Sequence, residues 1–198
     1  MELRELKVEG AYEVTPPVFT DARGLFLTPY QEQDFVRSTG HPLFPVAQYS
    51  VSRSRRGVVR GIHFTATPPG MAKFVYSPRG RALDVVVDLR VGSPTYRAWD
   101  SVILDQRDFR ALYLPIGVGH LFVALEDDTV VSYLMSTEYA GEKELAVSPT
   151  DPQLALPLPA DLDLILSDRD RGAPTLDEAE GASILPDYAT CRRLATPE

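Results

Sequence analysis

Apolar and polar residues alternate with a period of two through most of the middle of the chain: Val46–Ser54, Val58–Thr65, Phe74–Tyr76, Ala82–Leu89, Arg110–Leu114 and Thr129–Ser136. Successive side chains of an extended backbone point to opposite sides, so each stretch predicts a β-strand with one face turned to a core. Turn-forming clusters separate them, among them Pro68-Pro69-Gly70, Pro78-Arg79-Gly80, Gly92-Ser93-Pro94 and Glu126-Asp127-Asp128. Their spacing suits the hairpins of a barrel or sandwich. Helical signals stay at the edges, at Gln31–Arg37 and from Thr175 onward, where Thr175 and Glu178 make a capping-box pattern. Ser148–Pro159 is rich in proline and polar residues and reads as a segment wrapping the surface. The pattern predicts an all-β core with a few short peripheral helices, and the chain carries no internal repeat.

Composition narrows this picture. A length of 198 residues suits one sizeable core, hence a single domain spanning 1–198. No stretch approaches the roughly 20 apolar residues of a membrane span. Met1–Gly10 lacks the basic start and apolar run of a secretory signal, which leads to the expectation of a cytoplasmic protein. The one cysteine, Cys191, can form no internal disulfide and no thiol cluster for a metal, in keeping with a reducing compartment. A net charge of -8 argues against binding to nucleic acid or to an acidic membrane. An anionic ligand would therefore need a local basic site. The basic residues are nearly all arginine, with lysine only at Lys7, Lys73 and Lys143, and the guanidinium fork matches phosphate oxygens.

Candidate chemistry centres on the three histidines. His41, between Gly40 and Pro42, reads as an ordinary surface residue of a loop. His63 ends Val58-Val59-Arg60-Gly61-Ile62-His63 inside a predicted strand, where, taken alone, a satisfied core histidine is at least as good a reading as a catalytic base. His120 ends Pro115-Ile116-Gly117-Val118-Gly119-His120, a tight turn that delivers the histidine into a strand and resembles the second motif of cupin barrels. Metal-binding cupins add an H-x-H pair and a glutamate, but Phe64-Thr65 follow His63 here. With two plausible ring ligands and no cysteine cluster, the expectation is a barrel without a metal.

The residues around these histidines resemble the dTDP-4-dehydrorhamnose 3,5-epimerases over nearly the whole chain. The resemblance runs through Phe19–Phe26, Val58–His63, Lys73, Asp84–Arg90 with Ser93-Pro94-Thr95, the Pro115–His120 turn, Tyr133 and Ser167-Asp168-Arg169-Asp170. It implies a cupin-type jelly-roll barrel that needs no cofactor and inverts carbon 3, carbon 5 or both in a dTDP-linked 4-keto-6-deoxy sugar. His63 would be the base, with Asp170 orienting its ring and favouring its protonated state. Lys73 would stabilise the oxyanion developing at carbon 4, and Tyr133 would act as the acid on the opposite face. Asp84 and His120 would lie beside them. Arg23, Phe26, Gln48, Arg60, Tyr139 and Arg169 would hold the nucleotide, with Arg23 and Phe26 reaching into the neighbouring subunit's site of a homodimer.

Without the resemblance, plainer readings stand: a core tyrosine for Tyr133, an exposed strand-end lysine for Lys73, a solvated loop carboxylate for Asp170, and a solvent-facing strand residue for Asp84. Arg60 and His63, three positions apart, would fall on opposite faces of a regular strand unless a bulge near Gly61 intervenes. The chain also departs from the family's common pattern, with Leu27-Thr28 after Phe26, Ser50 in place of asparagine, and Leu156-Pro157 in place of a tryptophan-proline pair. These departures point to a sugar already deoxygenated, aminated or methylated, as in secondary metabolism. The presence of Tyr133 favours a reaction that includes carbon 5. A 3,4-ketoisomerase of the same barrel type, a sugar-nucleotide-binding barrel without activity, and a metal-dependent cupin oxygenase are the alternatives.

Overall fold

The computed structural model describes residues 1–195. Its strands are β1 (Glu2–Glu5), β2 (Tyr12–Thr15), β3 (Val18–Asp21), β4 (Gly24–Leu27), β5 (Gln48–Ser54), β6 (Val59–Thr65), β7 (Lys73–Arg79), β8 (Arg81–Asp88), β9 (Trp99–Asp105), β10 (Ala111–Leu114), β11 (Val118–Ala124), β12 (Thr129–Met135) and β13 (Glu144–Ala146). Four short helices accompany them: α1 (Glu32–Thr39), α2 (Asp168–Arg171), α3 (Leu176–Gly181) and α4 (Tyr188–Ala195). The all-β expectation holds, and among the described residues no helix is long and apolar enough to cross a membrane.

Six strands form one sheet in the order β1-β2-β10-β7-β12-β5, five form a second in the order β13-β6-β11-β8-β9, and β3-β4 is a separate hairpin. Pairing within all three is antiparallel. Val75 of β7 with Leu112 and Leu114 of β10 meets Val86 of β8, Val102 and Leu104 of β9, and Val118 of β11 in the core between the sheets. The second sheet is covered on its other face too. There Val85, Val87, Leu121 and Val123 pack beneath Val147, Leu154, Leu176 and Ala179 from the C-terminal third of the chain. Ser148–Pro159 thus carries core residues, with Leu154 buried and its carbonyl accepting from the Trp99 indole at 2.8 Å. At α3 the Thr175–Glu178 capping box is present.

On the first sheet, Phe35 of α1 covers Phe74, Ala111 and Tyr113. His41 is half-buried there, its ring against Phe35 and Tyr113, so it is a packing residue and not a plain surface one. The edge strand β5 reverses the usual arrangement. Gln48, Ser50 and Ser52 turn inward, half-buried, while Tyr49 and Val51 are exposed. A row of short polar side chains cannot fill the space between sheets as the apolar rows do, and a cavity opens where β5 and β12 face β6, β11 and β13.

Candidate active site

The cavity has a volume of about 310 Å3 and takes side chains from β5, β6, β7, β11, β12 and β13. Arg60 and His63 both line it. They do so because β6 is bulged: His63 lies opposite His120 and Arg60 opposite Phe122, so three steps on β6 match two on β11 and the alternation slips by one. Gly61 sits in the bulge at φ 132°, and a Cβ there would lie 2.4 Å from the His120 carbonyl oxygen, so only glycine fits.

Two histidine–carboxylate pairs result. His63 Nε2 donates to Asp170 Oδ1 at 2.6 Å. Asp170 is buried in the first turn of α2, where its backbone N–H is capped by Ser167 Oγ at 3.1 Å. Burial by itself would raise the Asp170 carboxyl, but the hydrogen bond and charge of His63, with Ser167 and Arg169, hold it below the usual carboxylate range. The loop carboxylate of the plainer reading is therefore a buried anion beside the imidazole. On the adjacent strand His120 Nε2 donates to both oxygens of Asp84 at 2.9 and 2.8 Å. Asp84 is fully buried between the sheets and faces no solvent, and burial pushes its carboxyl up against the opposing pull of His120 and Lys73.

Lys73 and Tyr133 complete the cavity's ionisable set. Lys73 is buried, not an exposed strand-end residue, and burial lowers its ammonium against the opposing influence of Glu144 and Asp84. Tyr133 shares a hydrogen bond of 3.1 Å with Ser52 Oγ. Burial raises its hydroxyl well above the ordinary tyrosine value, so it carries its proton at neutral pH. The rings of His120 and Tyr133 meet edge to face with centroids 6.2 Å apart.

Gln48 and Tyr139 also line the cavity, joined by a 2.7 Å bond from the Tyr139 N–H to Gln48 Oε1. Arg169 lies with Asp170 in a cleft on the other side of His63, which Arg60 also borders. Arg23 and Phe26 stand elsewhere. They belong to the exposed β3-β4 hairpin, where Arg23 pairs with Asp21 at 2.6 Å and Phe26 is 69% exposed. Ser52, Glu144, Met71, Phe122 and Met135 line the cavity without having been singled out in the sequence. The i, i+2, i+4 row of Ser50, Ser52 and Ser54 was the available signal of a polar inward face. Among the described residues no group of three or more His, Cys, Asp or Glu is placed to hold a metal ion.

Two antiparallel sheets closed around a polar cavity make this a cupin-type jelly roll. The sequence profile of the dTDP-4-dehydrorhamnose 3,5-epimerases matches residues 5–178, and the chain belongs to that family. It is 48% identical over 192 residues to a dTDP-4-dehydrorhamnose 3,5-epimerase of Mycolicibacterium smegmatis, covering 97% of this chain and 94% of that one. The crystal structure of NovW, a 4-keto-6-deoxy sugar epimerase from the novobiocin cluster of Streptomyces spheroides, superposes with a TM-score of 0.92 at 49% identity, covering 96% of this chain and 95% of NovW. ChmJ, a 3'-monoepimerase of Streptomyces bikiniensis solved with dTDP-quinovose, gives a TM-score of 0.90 at 44% identity, covering 95% and 94%.

Proposed function

We propose that the protein epimerises a dTDP-linked 4-keto-6-deoxyhexose at carbon 3, carbon 5 or both. The observation that carries this reading is the His63–Asp170 pair sharing one site with Lys73 and Tyr133. Carbons 3 and 5 are both α to the ketone, so a single base suffices for either. His63 takes the C–H proton, and the electron pair moves onto the carbon 4 oxygen. The Asp170 charge favours the imidazolium that results. Lys73 stabilises the enolate oxygen more than the ketone, which lowers the barrier. Tyr133 returns a proton to carbon from the opposite face, inverting the centre. The phenolate then regains its proton from solvent as His63 gives one up, so no oxidant or reductant is consumed.

Arg60, Arg169, Gln48 and Tyr139 border the cavity and the adjoining cleft, and they would receive the diphosphate and the base. Arg23 and Phe26 would serve the site of a second protomer. Support comes from the hairpin itself, which displays Phe19, Leu25 and Phe26 at 62%, 52% and 69% exposure, an apolar surface suited to burial in a homodimer. Ser50, where asparagine is common in the family, accepts from Gln48 Nε2 at 2.9 Å and alters the polarity of the cavity wall, which supports a sugar altered by deoxygenation, amination or methylation. A nucleotide-sugar substrate and a lone buried thiol fit a cytoplasmic reaction. Incubation with dTDP-4-keto-6-deoxyglucose, followed by proton NMR of the product, tests the reading. Inverted configuration at carbon 3 or 5 is expected. A ketone moved to carbon 3 would instead establish a ketoisomerase, and dTDP binding without conversion of this or a modified sugar would establish a binding barrel.

A further inference from the structure

Among the described residues one acidic side chain lines the cavity, Glu144 of β13, and the reaction just described leaves it idle. Pairing of β13 with β6 sets Glu144 opposite Thr65. The buried Thr65 donates its Oγ1 hydrogen to Glu144 Oε1 at 2.5 Å. The carboxylate is thus fixed by a neutral hydroxyl, and among the described residues no cation forms an ion pair with it. A charge in that state works against the binding of a diphosphate, since like charges repel most strongly where solvent is thin. The cavity also holds the cations Arg60 and Lys73, and of these Lys73 is the buried one.

Lys73 is buried, and among the described residues no side chain hydrogen-bonds or ion-pairs with its ammonium. Among the described residues, the charged and titratable groups that share the cavity with it or act on it are Glu144 from β13, Asp84 from β8, His120 from β11, Arg60 and His63 from β6, Tyr133 from β12, Tyr139, and Arg169 from α2. Asp84 is already engaged by both bonds from His120. Arg169 acts against a second positive charge, while Glu144 is the foremost influence opposing the desolvation of Lys73. We propose that Glu144, held in place by Thr65, is the positioning counter-charge that keeps Lys73 an ammonium ready for the enolate oxygen. Its consequence for turnover rests on the epimerase reading, whereas the charge relation between the two side chains does not.

Glu144→Gln preserves an acceptor for Thr65 and removes the charge. Its kcat is expected to fall about tenfold at pH 9 and less than about twofold at pH 6.5, with KM unchanged or lower because repulsion of the diphosphate is relieved. Glu144→Asp, which restores the charge, should bring back the wild-type profile. A direct readout independent of turnover is the titration of lysine Nζ by NMR on 15N-lysine-labelled protein, with Lys73→Arg assigning one of the three lysine signals. Lys73 should lose its proton at lower pH in Glu144→Gln than in wild type. An unchanged Lys73 titration, or a kcat loss of equal size at both pH values, would overturn the proposal. Failure of the wild type to turn over any 4-keto sugar would instead sink the epimerase reading and leave the titration to decide on Glu144.

Discussion

Tyr133 keeps its proton because burial makes the phenolate costly, with Asp84 adding to that cost and the Ser52 bond and Arg60 only partly offsetting it. In the proposed reaction this neutral hydroxyl serves as the acid, and removing it should separate two events that otherwise occur together. In Tyr133→Phe, His63 should still exchange the substrate's α-proton with solvent. Inversion should fall by about 10²–10⁴-fold, as NMR of the sugar protons would record. The residues proposed for this machinery are named by motif resemblance, since their bare contexts read as ordinary core or surface positions. Glu144 was not, because a lone glutamate after Gly141-Glu142-Lys143 looks like a solvated turn residue until β13 pairs with β6 and carries it to the cavity. Asp84 alternates with Leu83 and Val85 as a solvent-facing residue would, but those two pack beneath the C-terminal wrap, which leaves Asp84 on the face that meets the first sheet, with Val86.

At the scale of elements, β6 shows how one glycine sets the site. The expectation that a bulge near Gly61 reconciles Arg60 with His63 agrees with the slipped register against β11. A methyl group at Gly61 would meet backbone, with the His120 oxygen at 2.4 Å and Leu121 Cα at 2.5 Å, and no side-chain rotation relieves it. Gly61→Ala should therefore cost about 2–4 kcal/mol in a denaturant melt and lower activity together with stability. The six strands read from alternation all exist, with ends shifted by one or two residues and β7 extended on both sides to Lys73–Arg79. The pattern left out β9, where Asp100 shares the inward face with Val102 and Leu104 and is held by the Lys7 N–H at 3.1 Å. It also left out β1 to β4 and β13, which have four residues or fewer and offer too little sequence for a period to emerge.

At the scale of the whole molecule, the second sheet is sandwiched between the first sheet and the C-terminal wrap, and β11 is buried along its full length. Continuous burial on both faces erases alternation, which is why composition and motif spoke more clearly there than period. The exposed hairpin raises a question about assembly that a complementation test answers. If Arg23 serves the neighbouring site, Arg23→Ala and His63→Ala protomers, each nearly inactive alone, should regain about a quarter of wild-type activity on co-refolding, because each hybrid dimer then holds one intact site. No recovery, in a mixture shown by native mass spectrometry to contain hybrid dimers, would place Arg23 at its own protomer's site. The central claim is enolisation by His63. Its most direct measurement is incubation with dTDP-4-keto-6-deoxyglucose in deuterated water, followed by NMR at carbons 3 and 5. Deuterium should enter at one or both carbons with wild-type protein and at neither with His63→Ala; deuterium entering equally fast with both proteins would contradict the account.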